Sequence, residues 1–154
     1  MKHTVLRDII KSIMYVRKES KDIFRETIEI KPDGMYADDA VFSLGQISEL
    51  FKEYEEAIKH YREVRLDYPN SDNYLRSLIR ESANHLTLRD VTSAASSIEK
   101  ANTTWAHINE EDSIGLLLKE QVGLEHSLEE ILYLRGEIAA LSGNFENALV
   151  YYNS

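Results

Sequence analysis

Apolar residues recur at three- and four-residue steps along most of the chain. In "YEEAIKHYREVRLDYPNS", residues 54–71, Tyr54, Ala57, Ile58, Tyr61, Val64 and Tyr68 form the stripe of an amphipathic helix. Pro69 cannot continue a helix and disfavours helical geometry at Tyr68, so the helix is predicted to end there. Asn70 and Ser71 then supply turn and capping chemistry for the next helix. Upstream, Ala37, Ala40, Val41, Leu44, Ile47, Ser48 and Phe51 make a second stripe. Two short amphipathic helices with almost no linker form a helical hairpin. Such a hairpin cannot bury both apolar faces alone, so stacked neighbours are expected.

Shifting the sequence by 91 positions supplies one neighbour. "LYLRGEIAALSGNFENALVYY" then lies over "VFSLGQISELFKEYEEAIKHY", with Gly45 on Gly136, Tyr54 on Phe145, Ala57 on Ala148, Ile58 on Leu149 and Tyr61 on Tyr152. A weaker shift of 37 lays residues 24–34 over residues 61–71. Between them, Leu75, Leu78, Ile79, Ser82 and Leu86, then Val91, Ala95, Ile98, Ala101 and Trp105, form the stripes of a divergent hairpin without the glycine, aromatic or closing proline of the first. Ile114, Leu117, Leu118, Gln121, Leu124, Leu128, Ile131 and Leu132 continue one stripe without a break. They predict a long helix over residues 113–141, capped by Asp112 or Ser113, against another over residues 89–107, with "INEED" as the loop. Residues 1–34 fit one long helix carrying Leu6, Ile9, Ile10, Ile13, Phe24 and Ile28, or a degenerate repeat that turns at residues 15–18. The chain thus divides into residues 1–34, a first repeat at 35–71, a divergent second at 72–112, and an elongated, shortened third at 113–154.

The order Gly45, Ala57, Tyr61, Pro69 resembles the tetratricopeptide repeat, whose period is about 34 residues. Residues 36–71, "YADDAVFSLGQ…YEEAIKHYREVRLDYPNS", look most like the repeats of bacterial envelope proteins such as the lipoprotein of outer-membrane barrel assembly and the Tol-Pal coordinator. The resemblance implies an all-α, antiparallel helical-hairpin array wound as a right-handed superhelical solenoid, here with two elongated helices. It implies a non-catalytic scaffold that binds a peptide or protein segment, with envelope assembly as the setting. A peptide- or ligand-sensing module of a larger cytoplasmic protein, and a spacer that oligomerises through its ends, are the rival readings. Location follows the same division: periplasmic or outer-membrane-associated if an export signal lies outside these residues, cytoplasmic otherwise.

In such a superhelix the first helix of each hairpin lines the concave face. The residues opposite the packing stripes are Asp39, Phe42, Gln46 and Glu49, then Asn73, Arg76, Arg80 and Asn84, then Tyr133 and Glu137 with Glu130 and Ala140. Phe42 and Tyr133 are read as exposed aromatics suited to protein contact. Arg76 and Arg80, one turn apart, can fork a carboxylate or an acidic peptide, or pair with Glu81, Asp72 or Glu49 on a charged surface. The carboxylate clamp of chaperone-binding members is not matched, since Phe42 and Gln46 stand where its basic and amide residues begin.

Composition narrows the chemistry further. Two prolines and six glycines in 154 residues permit a mostly helical chain. The net charge of −9 repels phosphate backbones, and no local basic patch stands out in the sequence, so nucleic acid is not an expected partner. There is no cysteine, hence no disulfide or thiolate chemistry. The five histidines form no HExxH or Glu-x-x-His step; His107 with Glu111 and His126 with Glu130 share helix faces as ordinary solvated pairs. No phosphate loop, dinucleotide fingerprint or nucleophile elbow is present, and neither catalysis nor a cofactor is expected. No segment has the run of about 18 apolar residues that spans a membrane. The last repeat stops about a turn short of the first, so Leu149, Tyr151 and Tyr152 are expected to be partly uncovered, through a fragment boundary or self-association of this end.

Overall fold

The computed structural model describes residues 2–34, 36–110 and 126–154. The described residues form seven α-helices and no strand: α1 (Lys2–Ile30), α2 (Ala37–Leu50), α3 (Tyr54–Asp67), α4 (Tyr74–Thr87), α5 (Val91–Glu110), α6 (Ser127–Leu141) and α7 (Phe145–Tyr152). Acidic residues open α2 (Asp38, Asp39), α3 (Glu55, Glu56) and α6 (Glu129, Glu130), where they complement the positive end of the helix dipole. Residues 2–30 form one helix rather than a turning pair.

Three hairpins, α2–α3, α4–α5 and α6–α7, are closed by the same device. Each first helix ends on a left-handed residue: Lys52 (φ 61°), Arg89 (φ 63°) and Gly143 (φ 77°). The next amide then reaches back five residues: Glu53 N–H to the Ser48 carbonyl at 2.8 Å, Asp90 N–H to His85 at 2.9 Å, and Asn144 N–H to Ala139 at 2.8 Å. This satisfies carbonyls that the helix end would otherwise leave open. Lys52 and Arg89 hold the conformation despite their Cβ atoms, a cost of about 1–2 kcal/mol each.

Packing inside the hairpins explains the small residues. A Cβ on Gly45 would lie 2.6 Å from Cε1 of Tyr61, so the glycine seats the tyrosine ring, and Gly136 stands under Tyr152 in the same way. Tyr61 is thus the nearest neighbour across from Gly45, and Ala57 on the same helix as Tyr61 is fully buried. In the second hairpin Ser82 and Ile98 occupy the corresponding places, and the Ser82 hydroxyl donates to the Ala94 carbonyl at 2.9 Å. There Ala94, not Ala95, is the small residue that is wholly buried.

Two cores result. Val41, Phe42, Ala57, Tyr61 and Val64 fill the first hairpin, with Ile28 of α1 and Tyr68 against them. Leu75, Leu78, Ile79, Ile98, Ala101, Trp105, Ile131 and Leu134 join α4, α5 and α6. Between the cores, buried Glu81 of α4 accepts from Arg65 Nη2 at 2.7 Å and Arg62 Nη2 at 3.1 Å on α3. A buried carboxylate survives there because two guanidiniums meet it.

The long helix expected over residues 113–141 begins instead at Ser127, with His126 at its N-cap. Its earlier part, with the cap at Asp112 or Ser113 and stripe residues Ile114 to Leu124, lies outside the described residues. The facing helix is long as expected but displaced, since α5 runs from Val91 to Glu110.

Candidate functional site

The residues expected to line a concave face belong to α2, α4 and α6, and the structure draws the first two sets together. Asn73, at the N-cap of α4, donates through Nδ2 to Asp39 Oδ1 at 2.7 Å. Arg80 Nη2 lies 2.5 Å and its Nε 3.1 Å from Glu49 Oε2, and Asn84 Nδ2 reaches Glu49 Oε1. Arg76 places its guanidinium 4.8 Å from the centre of the Phe42 ring and bonds Asn73 Oδ1 at 3.3 Å. These seven residues therefore knit α2 to α4.

Several expectations change. Phe42 is not an exposed aromatic: it is 4% exposed, its ring 5.3 Å from that of Tyr61 and capped by Arg76. Asn73 and Asn84 are buried as well, hydrogen-bonded across the seam rather than turned to solvent. Arg80 has Glu49 for its fork, so a peptide carboxylate would have to displace a carboxylate already in place. Below this cluster burial and the nearby Glu49 charge push the Tyr61 hydroxyl pKa upward, so Tyr61 stays neutral.

Gln46 and Tyr133 do face solvent, and Glu137 is partly exposed. Tyr133 lies 6.2 Å, centroid to centroid, from Tyr152. Glu137 accepts from the Tyr152 hydroxyl at 2.6 Å, and this bond pushes the tyrosine up to about 12. Beside them a groove of about 480 Å³ opens between α4 and α6. Ala83, Leu86 and Leu134 give it an apolar floor, Tyr133 and Leu141 a wall, and Arg89 and Glu137 a charged rim. Sequence reasoning found Tyr133 and Glu137. It missed Ala83, beside the packing stripe, Leu86 within it and Arg89 in the turn, which line a groove only because α6 settles against α4.

A basic strip that the sequence did not reveal is also present. Lys11, Lys18 and Arg25 recur at seven-residue steps on α1 and line, with Lys21, a groove of about 660 Å³. Lys21 is buried against Glu53 at 2.7 Å, and desolvation lowers its pKa. Of the histidine–glutamate pairs noted in the sequence, Glu111 lies outside the described residues, while His126 Nδ1 lies 3.1 Å from Glu129; no group of three ligand-type side chains gathers among the described residues. None of the described helices is long and apolar enough to cross a membrane.

Comparison with protein-family models, with curated proteins and with solved structures finds no match for this chain.

Proposed function

We propose that this chain is a non-catalytic scaffold of tetratricopeptide-like hairpins that holds a peptide or protein segment in the groove between α4 and α6. The observation that carries this reading is the groove itself: an apolar floor at Leu86 and Leu134, an exposed aromatic at Tyr133, and one charge of each sign, Arg89 and Glu137, at the rim. An extended or helical segment with one or two apolar anchors fits such a surface, and aromatic side chains dominate the energetics of sites of this kind. The recurrence of one turn geometry in three hairpins and of glycine under tyrosine in two of them supports the tetratricopeptide-like element of the reading. The α2–α4 seam is a less suitable site, because Arg80, Asn84 and Asn73 already have partners.

Selection from a displayed peptide library, followed by titration of the enriched peptides, tests the proposal. Tyr133→Ala or Leu86→Glu is expected to weaken the selected peptides at least about tenfold, a loss of roughly 1.4 kcal/mol. Arg80→Ala is expected to leave affinity within about twofold while lowering stability slightly. Peptides that bind equally well to the Tyr133 and Leu86 variants would remove the groove from consideration.

A further inference from the structure

We propose that copies of this chain associate head to tail, the bare face of α1 in one copy docking on the α6–α7 hairpin of the next. The head is the part of α1 around residues 10–16. Ile10, Ile13, Met14 and Val16 are 49%, 51%, 57% and 59% exposed. Ile10, Ile13 and Met14 continue the row that, farther along α1, turns Phe24 and Ile28 toward the first hairpin. The row leaves cover where Arg17 stacks on Phe51, 4.9 Å from its ring centre, and bridges to Glu53 at the α2–α3 turn. Whatever covers it therefore lies in line with α2–α3, on the same side of α1. That side suits another helical element, whereas a flat lipid surface would be held off by the hairpin.

The tail is the face of α7 bearing Phe145, Leu149 and Tyr152, 68%, 62% and 45% exposed. The matching residues of the first hairpin, Ile58 and Tyr61, are 6% and 0% exposed, and there α4 packs on α3. This face of a hairpin thus takes a following helix as its cover, the place that α1 of another copy would fill. Charge favours the same pairing. Residues 1–18 hold Lys2, Arg7, Lys11 and Lys18, besides Arg17 that is paired with Glu53, against a single acid, Asp8, in a chain of net charge −9. Residues 126–154 hold Glu129, Glu130, Glu137 and Glu146 against Arg135, which is itself paired with Glu99 at 3.0 Å. Unlike faces on one chain give a heterologous contact, which extends into an open row unless its rotation closes a ring.

Sedimentation velocity over a concentration series tests the proposal, with Ile13→Glu as a head-blocked chain and Leu149→Glu as a tail-blocked one. Both positions are exposed, so circular dichroism should match the wild type; Lys11→Glu with Lys18→Glu is a second head variant. Wild-type protein is expected to grow beyond dimers, with association weakened by salt as charges about 10 Å apart are screened. Each blocked chain alone should stay monomeric, its association constant reduced at least about tenfold. An equimolar mixture of the two should form dimers and nothing larger, because one intact head and one intact tail remain. A wild type that is monomeric at every concentration, a blocked chain that assembles like wild type, or a mixture that stays monomeric would each overturn the proposal. So would wild-type protein that stays monomeric yet floats with anionic vesicles, a result that would assign the α1 face to lipid. Both blocked chains keep Leu86 and Tyr133, so peptide capture in the α4–α6 groove stands or falls separately.

Discussion

An added methyl at Gly45 would meet a tyrosine that has nowhere to go, since Tyr61 is 0% exposed and wedged against Phe42. Overpacking of this kind costs about 1–3 kcal/mol, against the roughly 1 kcal/mol that alanine gains over glycine within a helix. Gly136 stands under Tyr152 in the same geometry, but Tyr152 is 45% exposed and can swing outward. Gly45→Ala is therefore expected to destabilise by about 1 kcal/mol net, and Gly136→Ala to be near neutral, as read from urea midpoints at unchanged slope. Equal losses at both sites would show that Tyr152 is as firmly held as Tyr61. The sequence aligned both glycines and both tyrosines, yet it did not show that each glycine seats the ring. A stripe says which residues face inward, not how far a long ring on the facing helix reaches.

Between elements, His60 of α3 records the seating of α1. Its ring is buried with Glu56 and Glu63 each 3.4 Å away and the Lys21 charge of α1 nearby. The carboxylates favour the protonated ring, but burial outweighs them and, with help from Lys21, the pKa falls below the usual 6.5. The unfolded chain then binds a proton before the folded one does. Stability from this residue is complete above pH 6.5 and declines as pH falls from there toward the lowered folded value, by at most about 1.4 kcal/mol per pH unit. Melting temperatures measured in steps from pH 7.5 to about 5 should drop more steeply for wild type than for His60→Gln; parallel profiles would mean that His60 protonates without penalty. The misplacement of Phe42, Asn73 and Asn84 also has its cause at this scale. A stripe reading grants each helix one buried side. The described structure packs α2 against α1 and α3 and ties it through side chains to α4, so residues opposite its stripe are covered too.

Across the molecule, the succession of hairpins was legible because identities such as Gly45–Gly136 and Ala57–Ala148 survive at one shift. The 37-residue step from the first hairpin to the second was hidden, since compensating exchanges replace identity there: Ser82 for Gly45 with Ile98 for Tyr61, and buried Glu81 for Leu44. The groove between α4 and α6 could not be read at all, because it depends on where two helices distant in sequence come to rest. Helices in this chain chiefly pack on their neighbours in order, with α4 also reaching α6. Arrays with such short-range contacts open locally, from segments with little cover. Amide hydrogen exchange should accordingly be graded along the chain: fastest in the eight-residue α7, whose side chains apart from Ala148 are not buried, and slowest in α4, which packs on α3, α5 and α6. One common exchange rate for α4 and α7 would instead mark a single cooperative block. The left-handed turns at Lys52, Arg89 and Gly143 would then be rigid splices between helices, and not the seams along which the molecule comes apart.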